Sequence, residues 1–434
     1  MELREYYRRI FPRLERSFEH CHYVLGYGQE LIARGWNPNS LLVIVQPVDK
    51  LRELSVDWGL EVFLPVLGTN SDSVLLPFDF EIHLADFRGL YASPAAQQEM
   101  FQHNIGPVAE FLTHQLTAAN VYHMMDYTPS GAHILVRVMR GSSAWDKLAA
   151  IGFLDDSVFA SYTYHDPHDI KRNPPVRTDA ALVFSAFGFL SELLALRALQ
   201  ELQGQTKLPL TLWDSQPDCM NLDLSWTADP GYMRIIRAPF SAHKKRSQQH
   251  RLGPNPLVDV IGRLYAPEHD YEERDYQRII ACMWQLDQAA AHAEQFSGAV
   301  PVSDDGLARL CDQYSHSELA RFHDYCHIGE GDLQPGEALH RVLHDGRLSQ
   351  FTKDVALNPN PRMLQPRVMR KVVSDLCCHG WHPRHIKNLL TDRYQDPAFG
   401  WHINFAKYNA HLKAWAFARQ YCAEHHLMHD GWRV

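Results

Sequence analysis

The chain has no Cys-x-x-Cys pair, no run approaching the roughly eighteen consecutive apolar residues that span a bilayer, and no surplus of positive charge. The first absence removes the usual sequence signature of a zinc knuckle. The second, with an opening Met1-Glu2-Leu3-Arg4-Glu5 that lacks the apolar core of a signal peptide, leads to the expectation of a cytoplasmic protein with no membrane partner. The third follows from 42 Lys and Arg against 51 Asp and Glu, a formal charge of -9 that argues against indiscriminate binding to nucleic acid. It leaves room for a local basic groove, because a phosphate responds to the field within a screening length of about 10 Å and not to the distant total. Eight cysteines at irregular spacing, five of them beyond residue 300, do not describe a secreted disulfide framework but do leave room for a metal site. No internal repeat or low-complexity segment is evident.

What is present is ordinary for a folded protein: 434 residues, enough for two or three domains, with 45% apolar and 21% charged residues. Glu5 to Pro12 mixes apolar and basic residues at helical spacing, with Pro12 expected to interrupt it. Leu41 to Val45 is a β-branched apolar run, Val74 to Ile82 alternates toward its end, and Ala132 to Val138 alternates after a Pro129-Ser130-Gly131 turn; all three predict strands. Ala180 to Leu199 predicts a long apolar helix. After Arg251-Leu252-Gly253-Pro254-Asn255-Pro256 strand-like runs become scarce and helical periodicity takes over, so a domain boundary is expected at 252/253, and Pro359 and Pro361 divide the second part again. Periodicity therefore predicts an α+β chain with a mixed first half and a helical second half.

Chemistry concentrates in the first half. In Asp79-Phe80-Glu81 two carboxylates two positions apart on a strand project from one face, where both can hold one divalent cation or bridge a pair. An isolated Asp-x-Glu is more often two solvated acids on an exposed strand, so its companions decide. Ser130-Gly131-Ala132-His133 places a small-residue turn directly before a strand, where backbone amides and a histidine can approach a phosphate. Asn221-Leu222-Asp223-Leu224 supplies a third acid in an apolar setting, and Asp229, six residues later, competes for that role. From Arg234 to Arg251 the chain carries Arg234, Arg237, Lys244, Lys245, Arg246 and Arg251 with no acid between them, and Pro239, Ser241 and His243 shape the segment into a turn suited to phosphate.

With these motifs in this order, the chain resembles the archaeo-eukaryotic primase superfamily, particularly the small catalytic subunit of replicative primase, over roughly residues 5 to 250. Tyr6-Tyr7-Arg8-Arg9-Ile10-Phe11-Pro12 resembles its opening helix, Phe78-Asp79-Phe80-Glu81 its first motif, Ser130-Gly131-Ala132-His133 its second, Leu222-Asp223 its third, and Arg237 to Lys244 the nucleotide-contacting stretch that follows. The resemblance implies a primase-type mixed α/β catalytic core over residues 1–252 and a mainly helical accessory domain over 253–434. It implies Asp79, Glu81 and Asp223 as ligands of Mg²⁺ or Mn²⁺, with Ser130, Gly131, His133, Arg237, Ser241, His243 and Lys244 around a nucleoside triphosphate. Single-stranded DNA would be the template, and a helicase or other replication protein a partner. The chain departs from replicative small subunits in lacking paired arginines in the second motif, in lacking a cysteine-rich knuckle, and in its Asp-x-Glu, which is similar to that of primase-polymerases. A catalytically silent nucleic-acid-binding relative, in mobile-element maintenance or defence, is the alternative.

The second half holds a reserve of Cys and His. Their spacing leaves zinc open beside the reading of ordinary buried cysteines with surface histidines, and Leu343 to Leu348 faintly resembles part of the iron-sulfur domain of the primase large subunit, which implies Cys326, Cys377 or Cys378, and Cys422 as ligands of an iron-sulfur cluster. Gly380-Trp381-His382-Pro383-Arg384 combines basic and aromatic residues at a helix start, which leaves two readings open: a grip on template by phosphate contact and stacking, or a helix-packing corner with Trp381 in the core.

Overall fold

The computed structural model describes residues 1–37, 43–67, 72–154, 176–212, 218–224, 235–244, 247, 251–252, 255–328, 335–358, 366–394 and 418–425. Two main sheets organise these residues. The larger has seven strands in the order β13-β12-β5-β6-β4-β8-β7, built from β4 (Ser73–His83), β5 (His123–Thr128), β6 (Gly131–Met139), β7 (Leu210–Leu212), β8 (Cys219–Asp223), β12 (Val260–Ala266) and β13 (His269–Glu272). Only β7 and β8 run parallel in it. The smaller sheet is antiparallel in the order β2-β1-β3-β9, from β1 (Tyr23–Tyr27), β2 (Val43–Pro47), β3 (Glu61–Pro65) and β9 (Ile235–Arg237). A short ladder of β10 (Ala242–His243) with β11 (Leu257–Val258) leads directly into β12. The chain is α+β, rich in sheet in its first half and helical in its second.

The alternation expected near Asp79 decides how the large sheet is used. Phe78, Phe80 and Ile82 are buried, and Phe78 meets Phe187 edge-on at 4.9 Å. Phe187 belongs to helix Thr178–Leu202, whose Phe184, Leu190 and Leu194 are also fully buried. Each such side chain contributes about 1.5–3 kcal/mol on burial, so this face of the sheet is fixed by core packing. Asp79, Glu81 and His83, on alternate positions, occupy the opposite, partly open face. The same helix is the one described segment long and apolar enough to cross a membrane; here 78% of its most apolar window is buried inside the protein.

Two sequence expectations need correction. Pro12 does not break the first helix, which runs unbroken over Leu3–Ser17. Burial of Tyr6, Tyr7, Ile10 and Leu14 on one face holds it across the position where proline removes a backbone donor. The sheet also does not end at residue 252. β12 pairs with β5 from Val260↔Tyr127 to Tyr265↔His123, so the strand after the expected boundary lies inside the larger sheet. Its alternation is masked in the sequence by a register shift between Ile261 and Arg263.

The helical half continues the same hydrophobic core. Helix Leu286–Ala293 is followed by Glu294, which takes a two-pronged pair from Arg9 at 2.7 and 2.9 Å, tying it to the first helix. Farther on, buried Arg419 reaches Glu192 of helix Thr178–Leu202 at 3.3 Å, and Gln420 donates to the Leu224 carbonyl at 3.4 Å. Cys377 and Cys422 form a disulfide, while Cys326 is a buried free thiol. Among the described residues these cysteines form no group with metal-binding spacing, so neither the zinc left open by spacing nor the iron-sulfur arrangement implied by the resemblance finds geometric support. Trp381 is 2% exposed with the Arg341 guanidinium 4.6 Å from its ring centre, which makes it core and removes it as a stacking platform. Pro359 and Pro361 lie outside the described residues.

Candidate active site

Register assembles the site. On the open face of the large sheet, Asp79 of β4 stands opposite His133 of β6 on one side and Asp223 of β8 on the other, and His133 stands opposite Asp126 of β5. Directly opposed residues share a face with β-carbons about 4.5–5.5 Å apart, so Asp126, His133, Asp79 and Asp223 form one row across four strands. A second row, two residues along, brings Glu81 between Gly131 and Asn221. The three acids expected to work together are thus neighbours, although Asp223 is far from the other two in sequence. Asp229 lies outside the described residues.

Gly131 is required by close approach. A β-carbon there would meet the Phe80 carbonyl oxygen at 2.3 Å and Glu81 Cα at 2.8 Å. Gly131→Ala must push β6 from β4 and is expected to cost about 2–3 kcal/mol and slacken the spacing of the second row. Denaturant titration of that variant checks the first effect; equal stability to wild type would mean that the strands are not held this closely. Ser130 is 1% exposed, and its carbonyl accepts the Ile82 N–H at 2.7 Å, so it contributes to the strand junction through its backbone.

Exposure grades the row. The side chains of Asp79 and Glu81 are 18% and 34% exposed, whereas Asp126 is fully buried. His133 is 7% exposed, and its Nε2 lies 3.6 Å from Asp79 Oδ1. That separation exceeds a good hydrogen bond. Burial first, then the nearby Arg237 charge, push the His133 pKa down to about 3, so the ring is neutral at pH 7 and the contact is not an ion pair. Glu81 faces His83 at 3.0 Å.

Beside the buried Asp126 and His133 end of the row lies a cluster that the motifs did not reveal. Arg237, on β9, donates to Glu61 Oε1 of β3 at 2.6 Å and reaches Asp259 Oδ2, at the β11–β12 junction, at 3.4 Å. Both acids are at most 1% exposed. Burial alone would weaken the guanidinium's hold on its proton; Asp259 and Glu61 more than reverse this and raise its pKa. Burial raises Asp259 to about 7, with Arg237 pulling down and Glu61 pushing up. Asp126 is raised well above its ordinary value by burial and then by Asp259, against the pull of Arg237. Sequence held a signal for both aspartates: each is a lone acid inside an apolar strand run, Met124-Met125-Asp126-Tyr127 and Leu257-Val258-Asp259-Val260.

The expected basic wall is distributed differently from the expectation. Arg237 is committed to the two buried acids. Ser241 is fully buried; its hydroxyl accepts the Val62 N–H at 2.9 Å and meets the Tyr7 hydroxyl at 3.3 Å. Tyr7 in turn accepts the Ala242 N–H at 2.9 Å, and Tyr6 donates to the Phe240 carbonyl at 2.8 Å. The opening tyrosines therefore clamp the segment, which bends at Phe240 with φ 64°. His243 is buried in β10, paired with Leu257. Lys244 donates its backbone N–H to Glu61 at 3.1 Å and its ammonium to Glu30; burial lowers its pKa, against the pull of Glu30. Its side chain helps to line a cavity of about 560 Å³ with Arg4, Arg251, Trp58 and Glu30. Arg234, Lys245 and Arg246 lie outside the described residues.

No family model matches this chain, and no curated protein matches it.

Proposed function

We propose that the chain is a DNA-dependent primase or primase-polymerase, a cytoplasmic nucleotidyltransferase that makes or extends primers on single-stranded DNA from nucleoside triphosphates. The observation that carries this reading is the register: Asp79 and Asp223 directly opposed on adjacent strands, with Glu81 two residues along on the same half-open face. This all-oxygen donor set, partly open to solvent, fits Mg²⁺ or Mn²⁺, which take carboxylate ligands and keep positions for water and phosphate. Bound there, the cation would supply positive charge against a developing phosphoryl anion and lower the pKa of an attacking hydroxyl. The residues themselves supply preorganisation. Packing of Phe78 and Phe80 fixes the direction of the acids, and neutral His133 keeps a donor or acceptor at the row without adding charge. Lys244, Arg4 and Arg251 also line a cavity of nucleotide size, shared with Glu2 and Glu30 and separate from the acid row, where their charges suit polyphosphate. A helicase or another replication protein is the partner this role calls for.

The test is incorporation of labelled ribo- and deoxyribonucleotides on unprimed and primed single-stranded DNA with Mg²⁺ or Mn²⁺. Products on unprimed template establish initiation; products only from a primer establish extension. Tight single-strand binding with no product under any condition would replace this reading with that of a silent binding relative.

A further inference from the structure

We infer that Asp126, His133 and Asp259 form a separate buried site for one divalent transition ion, Mn²⁺ or Zn²⁺, at the buried end of the same row and distinct from the Asp79, Glu81 and Asp223 set. The three side chains come from three strands or strand junctions, and one potential donor atom from each lies within 4.8 Å of the others. Both Asp126 carboxylate oxygens, Asp259 Oδ1 and His133 Nδ1 are buried without a hydrogen-bond partner. Leaving such atoms unsatisfied is costly, and four of them in one cluster are not explained by backbone pairing.

Charge gives an independent reason. Glu61, Asp126 and Asp259 are each at most 1% exposed, and among the described residues Arg237 is the cation bonded to two of them, Glu61 and Asp259. Fully ionised, three carboxylates and one guanidinium would carry two net negative charges in a region with little water, the burden that holds Asp126 and Asp259 toward their neutral forms; one divalent ion would neutralise the ionised set. The division of contacts agrees. Asp259 turns Oδ2 toward Arg237 and leaves Oδ1 for another partner, while Glu61 is taken up by Arg237 and the Lys244 N–H. Two carboxylates and an imidazole favour Mn²⁺ or Zn²⁺ over Mg²⁺, which gives up its water reluctantly and suits oxygen ligands. Ligand bonds of about 2.0–2.2 Å require the three donors to draw together slightly, within the reach of small side-chain rotations. Because Asp126 and Asp259 are fully buried, this ion would exchange slowly, in contrast to one held by the half-open Asp79 and Glu81.

The site stands without the nucleotidyl-transfer reading, and its test is arranged accordingly. The full-length triple variant Asp79→Ala, Glu81→Ala, Asp223→Ala is equilibrated with Mn²⁺ or Zn²⁺, freed of excess by gel filtration, and its metal counted by mass spectrometry. About one ion per chain is expected, lost when Asp126→Asn is added; no retained ion in the folded triple variant overturns the inference. Absorption after loading with Co²⁺ decides the matter even if Asp126→Asn fails to fold. Ligand-field bands without thiolate charge transfer support an oxygen and nitrogen site, whereas thiolate charge transfer places the ion on the cysteines and overturns it. None of these readouts depends on nucleotide incorporation, so loss of the polymerase reading would leave the metal count unchanged.

Discussion

Asp79→Ala combined with Glu81→Ala should leave the protein folded and lower nucleotide incorporation by about 10³-fold or more, equivalent to roughly 4 kcal/mol or more of lost transition-state stabilisation. Both side chains are partly exposed on the open face of β4, and the core contacts of that strand come from Phe78, Phe80 and Ile82, which the change leaves intact. A strand position of this kind tolerates alanine at a cost of about 1 kcal/mol or less. Activity and stability therefore separate, which is what distinguishes a reactive carboxylate from a structural one. The measurement is a primer-extension assay beside a thermal melt. Undiminished synthesis by a clean preparation of the double variant would remove the acid row from the reaction.

The second large effect is on stability. Arg237→Met should cost about 3–5 kcal/mol, because it leaves Glu61 and Asp259 buried together with their counter-charge gone. The loss belongs to the uncompensated acids and not to the pair as such. Adding Glu61→Gln and Asp259→Asn to Arg237→Met should therefore restore much of the stability, a non-additivity that urea denaturation of the single, double and triple variants measures directly. An Arg237→Met variant as stable as wild type would mean that the guanidinium is not what permits these acids to be buried.

The sequence was most legible where local pattern and chemistry coincide. The Asp-x-Glu strand could be read because its apolar alternation continues through Phe78, Phe80 and Ile82, which fixes the acids to the other face. Asp223 could be nominated by its apolar setting, but its pairing with Asp79 is a matter of strand order that no local pattern encodes. Asp126, Asp259 and Glu61 went unread because single acids between apolar residues have no spacing to interpret; only the convergence of three strands and Arg237 makes them a cluster. The same reason explains Ser241, which reads as a phosphate contact but spends its hydroxyl on Val62 and Tyr7. The return of the sheet after residue 252 went unread because a two-residue ladder and a strand with a register shift carry too little periodicity to show that it resumes.

That late resumption constrains how the protein can be born. Until β12 is made, the outer edge of β5 has no partner, and about 130 residues must still be translated after β5, a delay on the order of 10 s at ribosomal rates. During that interval the nascent sheet carries an open edge of the sort that recruits foreign strands. A ribosome stalled or terminated near residue 252 would release a sheet lacking both its edge cover and Asp259, so shortened products should be sticky as well as inert, and quality control has reason to remove them quickly.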